Sequence, residues 1–236
     1  MRIFIDSADL QEIRKWLAQG VVDGVTTNPS IMLKDGVYNI EDTTRQLCDL
    51  LGDRPVSIEV ATNVPGEMIE QGREFASWSH SIVVKIPVVN ESGQSCLGVI
   101  HTFTREAVRV NATAIMSFNQ AMLAAKAGAT YVSIFGGRIA DEGNDPTVVI
   151  RNVRHWLDDW NCQAEIIVGS MRGAIDIQTA AIAGAHVVTV PPQFLPKMID
   201  HKYTRDTVRQ FIADANKALK QIAAAKLDSE IAASAR

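Results

Sequence analysis

Eight short β-branched runs recur along this chain, and stretches with the apolar period of a helix lie between them. Strands read at Arg2–Ile5, Gly24–Thr27, Pro55–Ala61, Ile82–Pro87, Arg109–Met116, Thr130–Phe135, Glu165–Gly169 and Val187–Val190. Helices are expected over Asp9–Gln19, capped by Ser7 or Asp9 and ended by Gly20, near Glu41–Leu51, and from about Pro65 to Ala76. Others follow at Asn119–Ala127, with Gly128 as C-cap, at Pro146–Trp160 and at Ala174–Ala183. Such alternation gives a parallel sheet covered by helices. A doubly wound open sheet is the alternative, but eight regular units in 236 residues favour closure. Barrels of this kind take about 250 residues.

The fold class expected is therefore α/β, a single (β/α)8 TIM barrel with an additional C-terminal helix. No linker, low-complexity block or shift of composition divides residues 1–236, so the chain reads as one barrel domain with a helical tail over about 203–236. Within the tail, Arg205–Leu227 carries Val208, Phe211, Ile212, Ala215, Leu219 and Ile222 on one stripe. That stripe either packs on its own barrel or docks on a neighbouring subunit, and Asp228–Arg236 is expected to fray.

Composition bounds the partners. With 47% apolar and 21% charged residues the chain has the balance of a globular protein. A formal charge of −4 offers no attraction to nucleic acid or to an anionic membrane. No apolar run approaches the roughly 18 residues of a membrane span, and MRIFIDSADL lacks the features of a signal peptide. Cys48, Cys96 and Cys162 are odd in number and form no CxxC pair, so a reducing, cytoplasmic setting is expected. The five histidines show no paired-ligand spacing, and there is no GxGxxG or GxxxxGK[ST] loop. No metal, nucleotide or other cofactor is expected.

In a (β/α)8 barrel the active site lies where strands end at the C-terminal face. Polar residues gather there: Asp6 on the first strand, Asn28 after the second, Glu59 on the third, Lys85 on the fourth, and Asn111 and Thr113 on the fifth. Ser133 lies on the sixth with Arg138 after it, and Ser170 and Arg172 follow the seventh. Lys85 sits within Ile-Val-Val-Lys-Ile-Pro. Desolvation disfavours an ammonium, and a neutral amine attacks a carbonyl to give an iminium that serves as an electron sink. A lone strand-end lysine more often snorkels to solvent, but so many converging polar partners favour the chemical role. Asp6 and Glu59 are candidate proton carriers, each with a structural alternative as a partner of Lys85 or a cap. Asn28, Asn111 and Thr113 can hydrogen-bond hydroxyls or a catalytic water, or serve structure. Arg138, Ser170 and Arg172 are candidate anion ligands.

Phe4–Ser7 (FIDS), Gly24–Ser30 (GVTTNPS), Val84–Pro87 (VKIP) and Phe135–Arg138 (FGGR) resemble the short-chain transaldolases and the related fructose-6-phosphate aldolases, over about residues 2–215. The resemblance implies a class I mechanism without a cofactor. Lys85 would form the Schiff base, Asp6 would take the proton of the C4 hydroxyl, and Glu59 and Thr113 would hold the water of imine formation. Asn28 and Asn111 would orient a dihydroxyacetone unit, Ser133 would bond a hydroxyl, and Arg138, Ser170 and Arg172 would bind the terminal phosphate. It also implies a homo-oligomer, pentamer or decamer, acting on small-molecule sugar phosphates. The aldolase branch carries Gln in place of Glu59 and Tyr in place of Phe135, so this chain is expected to be a transferase. A lyase that releases dihydroxyacetone is the first alternative, and a silent sugar-phosphate-binding barrel the second. The chain departs from the family's pattern in a long Val88–Val110 segment, in Gly136 and in Met171.

Overall fold

The computed structural model describes residues 1–234 and divides into two compact units, residues 1–195 and the residues from Pro196 onward. In the first unit, eight parallel strands close into a barrel in sequence order. They are β1 (Arg2–Asp6), β2 (Gly24–Thr26), β3 (Val56–Glu59), β4 (Ile82–Pro87), β5 (Val110–Ile115), β6 (Tyr131–Phe135), β7 (Glu165–Gly169) and β8 (Val187–Val190). β1 pairs with β2 on one side and with β8 on the other, where Arg2 faces Val187 and Ile5 faces Val190. That second pairing closes the sheet and excludes the open, doubly wound arrangement.

Side chains on a strand alternate between the two faces. The outward set, with Ile5, Val25, Ile58, Val84, Ile86 and Val132 among it, packs against the helices as a continuous apolar layer. The inward set begins with Phe4, Val83, Tyr131, Ile167 and Val187, a second buried cluster that fills the barrel. Phe4 and Tyr131 meet edge to face at 6.1 Å, and the Arg2 guanidinium lies over both rings while pairing with Glu165. Two positions further along each of these strands stand Asp6, Lys85, Ser133, Gly169 and Thr189. One alternation thus sets the apolar plug and, a layer above it, the lining of the mouth.

The helices are α1 (Leu10–Leu17), α2 (Pro29–Lys34), α3 (Ile40–Leu51), α4 (Pro65–Trp78), α5 (Leu97–Arg105) and α6 (Phe118–Lys126), then α7 (Gly136–Asp141), α8 (Pro146–Asp159), α9 (Ala174–Ile182) and α10 (Leu195–Ile199). Asp9, not Ser7, caps α1: its carboxylate accepts the Gln11 and Glu12 amides, while the Ser7 hydroxyl donates to Asp35. Four helices were absent from the sequence reading, the short α10 among them. α2 is six residues long and starts at Pro29 behind the Asn28 cap, and α7 opens on two glycines, the poorest helix formers but proline. α5 lies inside the long Val88–Val110 segment, after a tight turn in which Val89 bridges Ser95. Its sequence, LGVIHTFTR, is rich in β-branched residues, and burial of Val99, Ile100 and Phe103 overrides that preference. Phe103 packs against Gly72 of α4, where a Cβ would lie 2.3 Å from the ring.

The second unit is dominated by α11 (Lys202–Ser234), which carries Val208, Phe211, Ile212, Leu219 and Ile222 exposed. The fraying expected from Asp228 is not found as far as Ser234; residues 235 and 236 lie outside the described residues. Among the described residues, no helix is long and apolar enough to cross a membrane.

Phe103 is fully buried, so Phe103→Ala is expected to lower the unfolding free energy by about 3–5 kcal/mol. Urea denaturation measures it; a loss below about 1 kcal/mol would show that α5 is not packed in this way.

Candidate active site

A cavity of about 480 Å³ opens at the C-terminal ends of the strands. Of the residues singled out from sequence, Asp6, Asn28, Glu59, Lys85 and Thr113 line it, as do Ser133, Phe135, Arg138, Ser170 and Arg172. Asn111 is not among the lining residues. It is fully buried, its amide Nδ2 donates to the Ser57 hydroxyl at 3.2 Å, and its Oδ1 accepts from Ser133 at 2.7 Å. Asn111 therefore holds Ser133 in place from within the barrel wall.

Lys85 stands in register with Glu59 on one neighbouring strand and with Asn111 on the other. Its side chain is 5% exposed, so its polar head needs acceptors. Glu59 Oε2 lies 3.0 Å from Nζ, and the Thr27 carbonyl accepts from Nζ at 2.9 Å. That carbonyl is itself fixed, because Thr27 donates its amide and its hydroxyl to the Ser57 carbonyl. The amine is thus anchored from β3 and from the end of β2.

Asp6 ends β1 and accepts from the Thr26 hydroxyl at 2.6 Å. Thr26 Oγ1 also lies 2.5 Å from Thr189 Oγ1. A threonine hydroxyl has one proton, so if Thr26 donates to Asp6 then Thr189 donates to Thr26. Burial pushes the Asp6 carboxyl above its usual range, against the Lys85 ammonium and the Thr26 hydrogen bond, which pull it down. Asn28 caps α2 by accepting the Ile31 amide at 2.9 Å, which leaves its Nδ2 donors for a ligand.

Two strained backbone positions flank the cavity. A bulge shifts the β5–β6 register between Ala112 and Ile115, with Ala114 at φ +57°, and Ser170 sits at φ +61°. Neither is glycine, and such strain concentrates at functional sites. Beside the bulge, the buried Thr113 hydroxyl has no hydrogen-bond partner among the described residues. An unsatisfied buried hydroxyl costs about 1–3 kcal/mol, which a bound water or ligand hydroxyl would relieve.

Arg172 and Arg138 supply positive charge at the rim. Arg172 pairs with Asp141, Nη2 to Oδ2 at 2.5 Å and Nε to Oδ1 at 3.4 Å, which holds the Asp141 carboxyl below its usual range. Asp176 accepts the amides of Arg172 and Gly173, fixing the loop after β7. A Cβ on Gly137 would lie 1.8 Å from the Ser170 carbonyl oxygen, so only glycine lets α7 start against that loop. Thr26, Thr189, Asp141 and Asp176 were not singled out from sequence. Among the described residues, no group of three or more His, Cys, Asp or Glu side chains is placed to hold a metal. A larger hollow of about 640 Å³, lined by Phe118, Ile139 and Val148 among others, shares Arg138 but is mostly apolar and holds no lysine.

Fold and cavity together define a (β/α)8 barrel with an anchored amine, a desolvated carboxylate and two arginines at its C-terminal mouth. The family described as Transaldolase/Fructose-6-phosphate aldolase matches residues 3–235, and the chain belongs to it. It is 40% identical over 214 residues to a probable transaldolase 2 of Listeria monocytogenes, covering 91% of this chain and 95% of that one. A probable transaldolase of Dehalococcoides mccartyi is 39% identical over 91% of this chain and 97% of its own. Among solved structures, an N-acetylmannosamine-6-phosphate 2-epimerase from Clostridium perfringens aligns with a TM-score of 0.55 at 10% identity, over 86% of this chain and 92% of that one, a likeness of fold alone.

Because burial raises the Asp6 pKa, the folded chain holds that proton more tightly than the unfolded one. Stability then falls as pH rises above the ordinary carboxyl value. Asp6→Asn is expected to melt a few degrees higher than the parent at pH 7, with the gap closing below about pH 4. Calorimetry at both pH values checks this; equal melting temperatures at pH 7 would contradict the burial argument.

Proposed function

We propose that this chain is a class I transaldolase that moves a dihydroxyacetone unit from a ketose phosphate, such as fructose 6-phosphate or sedoheptulose 7-phosphate, to an aldose phosphate. The observation that carries the reading is Lys85, buried at the mouth with Nζ between Glu59 and the Thr27 carbonyl and Asp6 on the same cavity. Lys85 adds to the ketose carbonyl once its ammonium proton has passed to Glu59, and that proton leaves with the former carbonyl oxygen as water, held by Glu59 and the unpartnered Thr113 hydroxyl, to give an iminium. Asp6 then takes the C4 hydroxyl proton as the C3–C4 bond breaks, and the bonding electrons pass into the iminium to give an enamine. The aldose phosphate leaves, and the enamine carbon attacks an incoming aldehyde. Asn28 Nδ2 orients the retained unit, Ser133 contributes its hydroxyl oxygen, and Arg138, Ser170 and Arg172 bind the phosphate.

Phe135 lines the cavity and has no acidic proton. It cannot protonate the enamine, so the carbanion equivalent persists until an acceptor arrives, which favours a transferase over a lyase. The exposed apolar side chains of α11 support assembly into a homo-oligomer. The free thiols Cys48, Cys96 and Cys162 support a cytoplasmic setting.

Borohydride with fructose 6-phosphate is expected to trap a stable adduct on Lys85, and Lys85→Ala to lose both adduct and turnover, by at least about four orders of magnitude. Turnover retained in a folded Lys85→Ala protein would remove the Schiff-base account. Glyceraldehyde 3-phosphate release from fructose 6-phosphate is expected to require erythrose 4-phosphate, and Phe135→Tyr to raise the acceptor-independent rate. Release by the parent without acceptor would make it a lyase, and silence with every donor and with borohydride would favour a binding barrel.

A further inference from the structure

Arg172 has two hydrogen-bonding edges, and the structure uses one. Asp141 takes the side-on edge formed by Nε and Nη2, which leaves the end-on edge formed by Nη1 and the second Nη2 proton. The two partners stand on different surfaces. Arg172 lines the mouth cavity, whereas Asp141 lines the neighbouring apolar hollow and not that cavity. The carboxylate thus holds the guanidinium from outside the mouth cavity.

From this we infer that Asp141 is a positioning residue for anion recognition: it locks the Arg172 guanidinium so that its end-on edge meets the phosphate of the sugar substrate. The inference deepens the proposed function and rests on its reading of Arg172 as a phosphate ligand. Both side chains are about half exposed, at 51% and 46%, so their pairing adds little to stability. Its value lies in order. A free arginine samples many rotamers, and restraining one before binding removes that entropy from the cost of binding an anion. The restraint is built from both ends, since Asp176 holds the Arg172 amide while Asp141 holds its head. α7 can supply Asp141 at the right height because Gly137 lets the helix abut the Ser170 carbonyl. The same six-residue helix carries Arg138, whose charge also lowers the Asp141 carboxyl pKa. One short helix therefore presents one cation directly and aims another.

The test compares KM for fructose 6-phosphate with KM for unphosphorylated fructose as donor. Arg172→Ala is measured first and is expected to raise the ratio of the two. Asp141→Ala is expected to raise it about tenfold, with the loss in KM rather than in kcat, and Asp141→Glu to recover part of the effect. The double variant is expected to be no worse than Arg172→Ala alone, because Asp141 acts through Arg172. If Asp141→Ala melts below the parent, Asp141→Asn, which keeps the shape and removes the charge, replaces it. A raised ratio in Arg172→Ala with no change in the Asp141 variants would overturn the inference alone. A lowered KM for fructose 6-phosphate in Asp141→Ala would also overturn it, since the carboxylate would then be a competitor for the arginine. No change in Arg172→Ala itself would overturn the reading beneath.

Discussion

A primary amine inside a barrel has to be held by acceptors, and the site is arranged around that need. Lys85 cannot keep Nζ in water at 5% exposure, so β3 must bring Glu59 level with it, and β2 must end where the Thr27 carbonyl can accept. Both requirements are met by register. In a closed parallel barrel, a shift of one residue between neighbouring strands turns every side chain to the opposite face. The ion pair and the closure of the sheet therefore depend on the same alignment, and a slip at β3 would expose Glu59 to the helices and leave a charge without a partner.

The same alignment sorts the interior by depth. Phe4, Val83, Tyr131, Ile167 and Val187 make a dry floor, and their successors two residues on are polar or small. The floor keeps water from reaching Lys85 from below, and low polarity beneath the mouth strengthens each electrostatic contact within it. The strained positions at Ala114 and Ser170 are backbone counterparts of this arrangement, one in the bulge within β5 and the other just past the end of β7, both on the cavity wall.

Much of this was legible in the sequence because short β-branched runs alternating with helical stretches are a strong signal. They marked eight strands with ends within about two residues of those observed, the widest difference being Pro55–Ala61 against Val56–Glu59. They also brought Asp6, Glu59, Lys85 and Ser133 to one end of the barrel. Depth was not legible. Asn111 and Thr113 belong to the same strand and the same face, yet only Thr113 reaches the cavity, because Asn111 lies two residues lower and is tied to Ser57 and Ser133. Thr26 and Thr189 escaped notice because threonine is an ordinary strand former, and nothing local shows that two hydroxyls from distant strands meet at Asp6. Asp141 was hidden by its helix: two glycines followed by Arg-Ile-Ala-Asp read as a loop, and the partner that gives the residue meaning is 31 positions away.

The plugged floor has a consequence for traffic. Arg2, braced by Glu165 across the rings of Phe4 and Tyr131, stands over the buried plug at the N-terminal end of the barrel, opposite the mouth. In the reaction proposed above, which discards one aldehyde and admits another, the departing and arriving molecules use the mouth in turn. Under the proposed function the barrel works as an airlock: the covalently held fragment waits inside while its former partner clears the entrance.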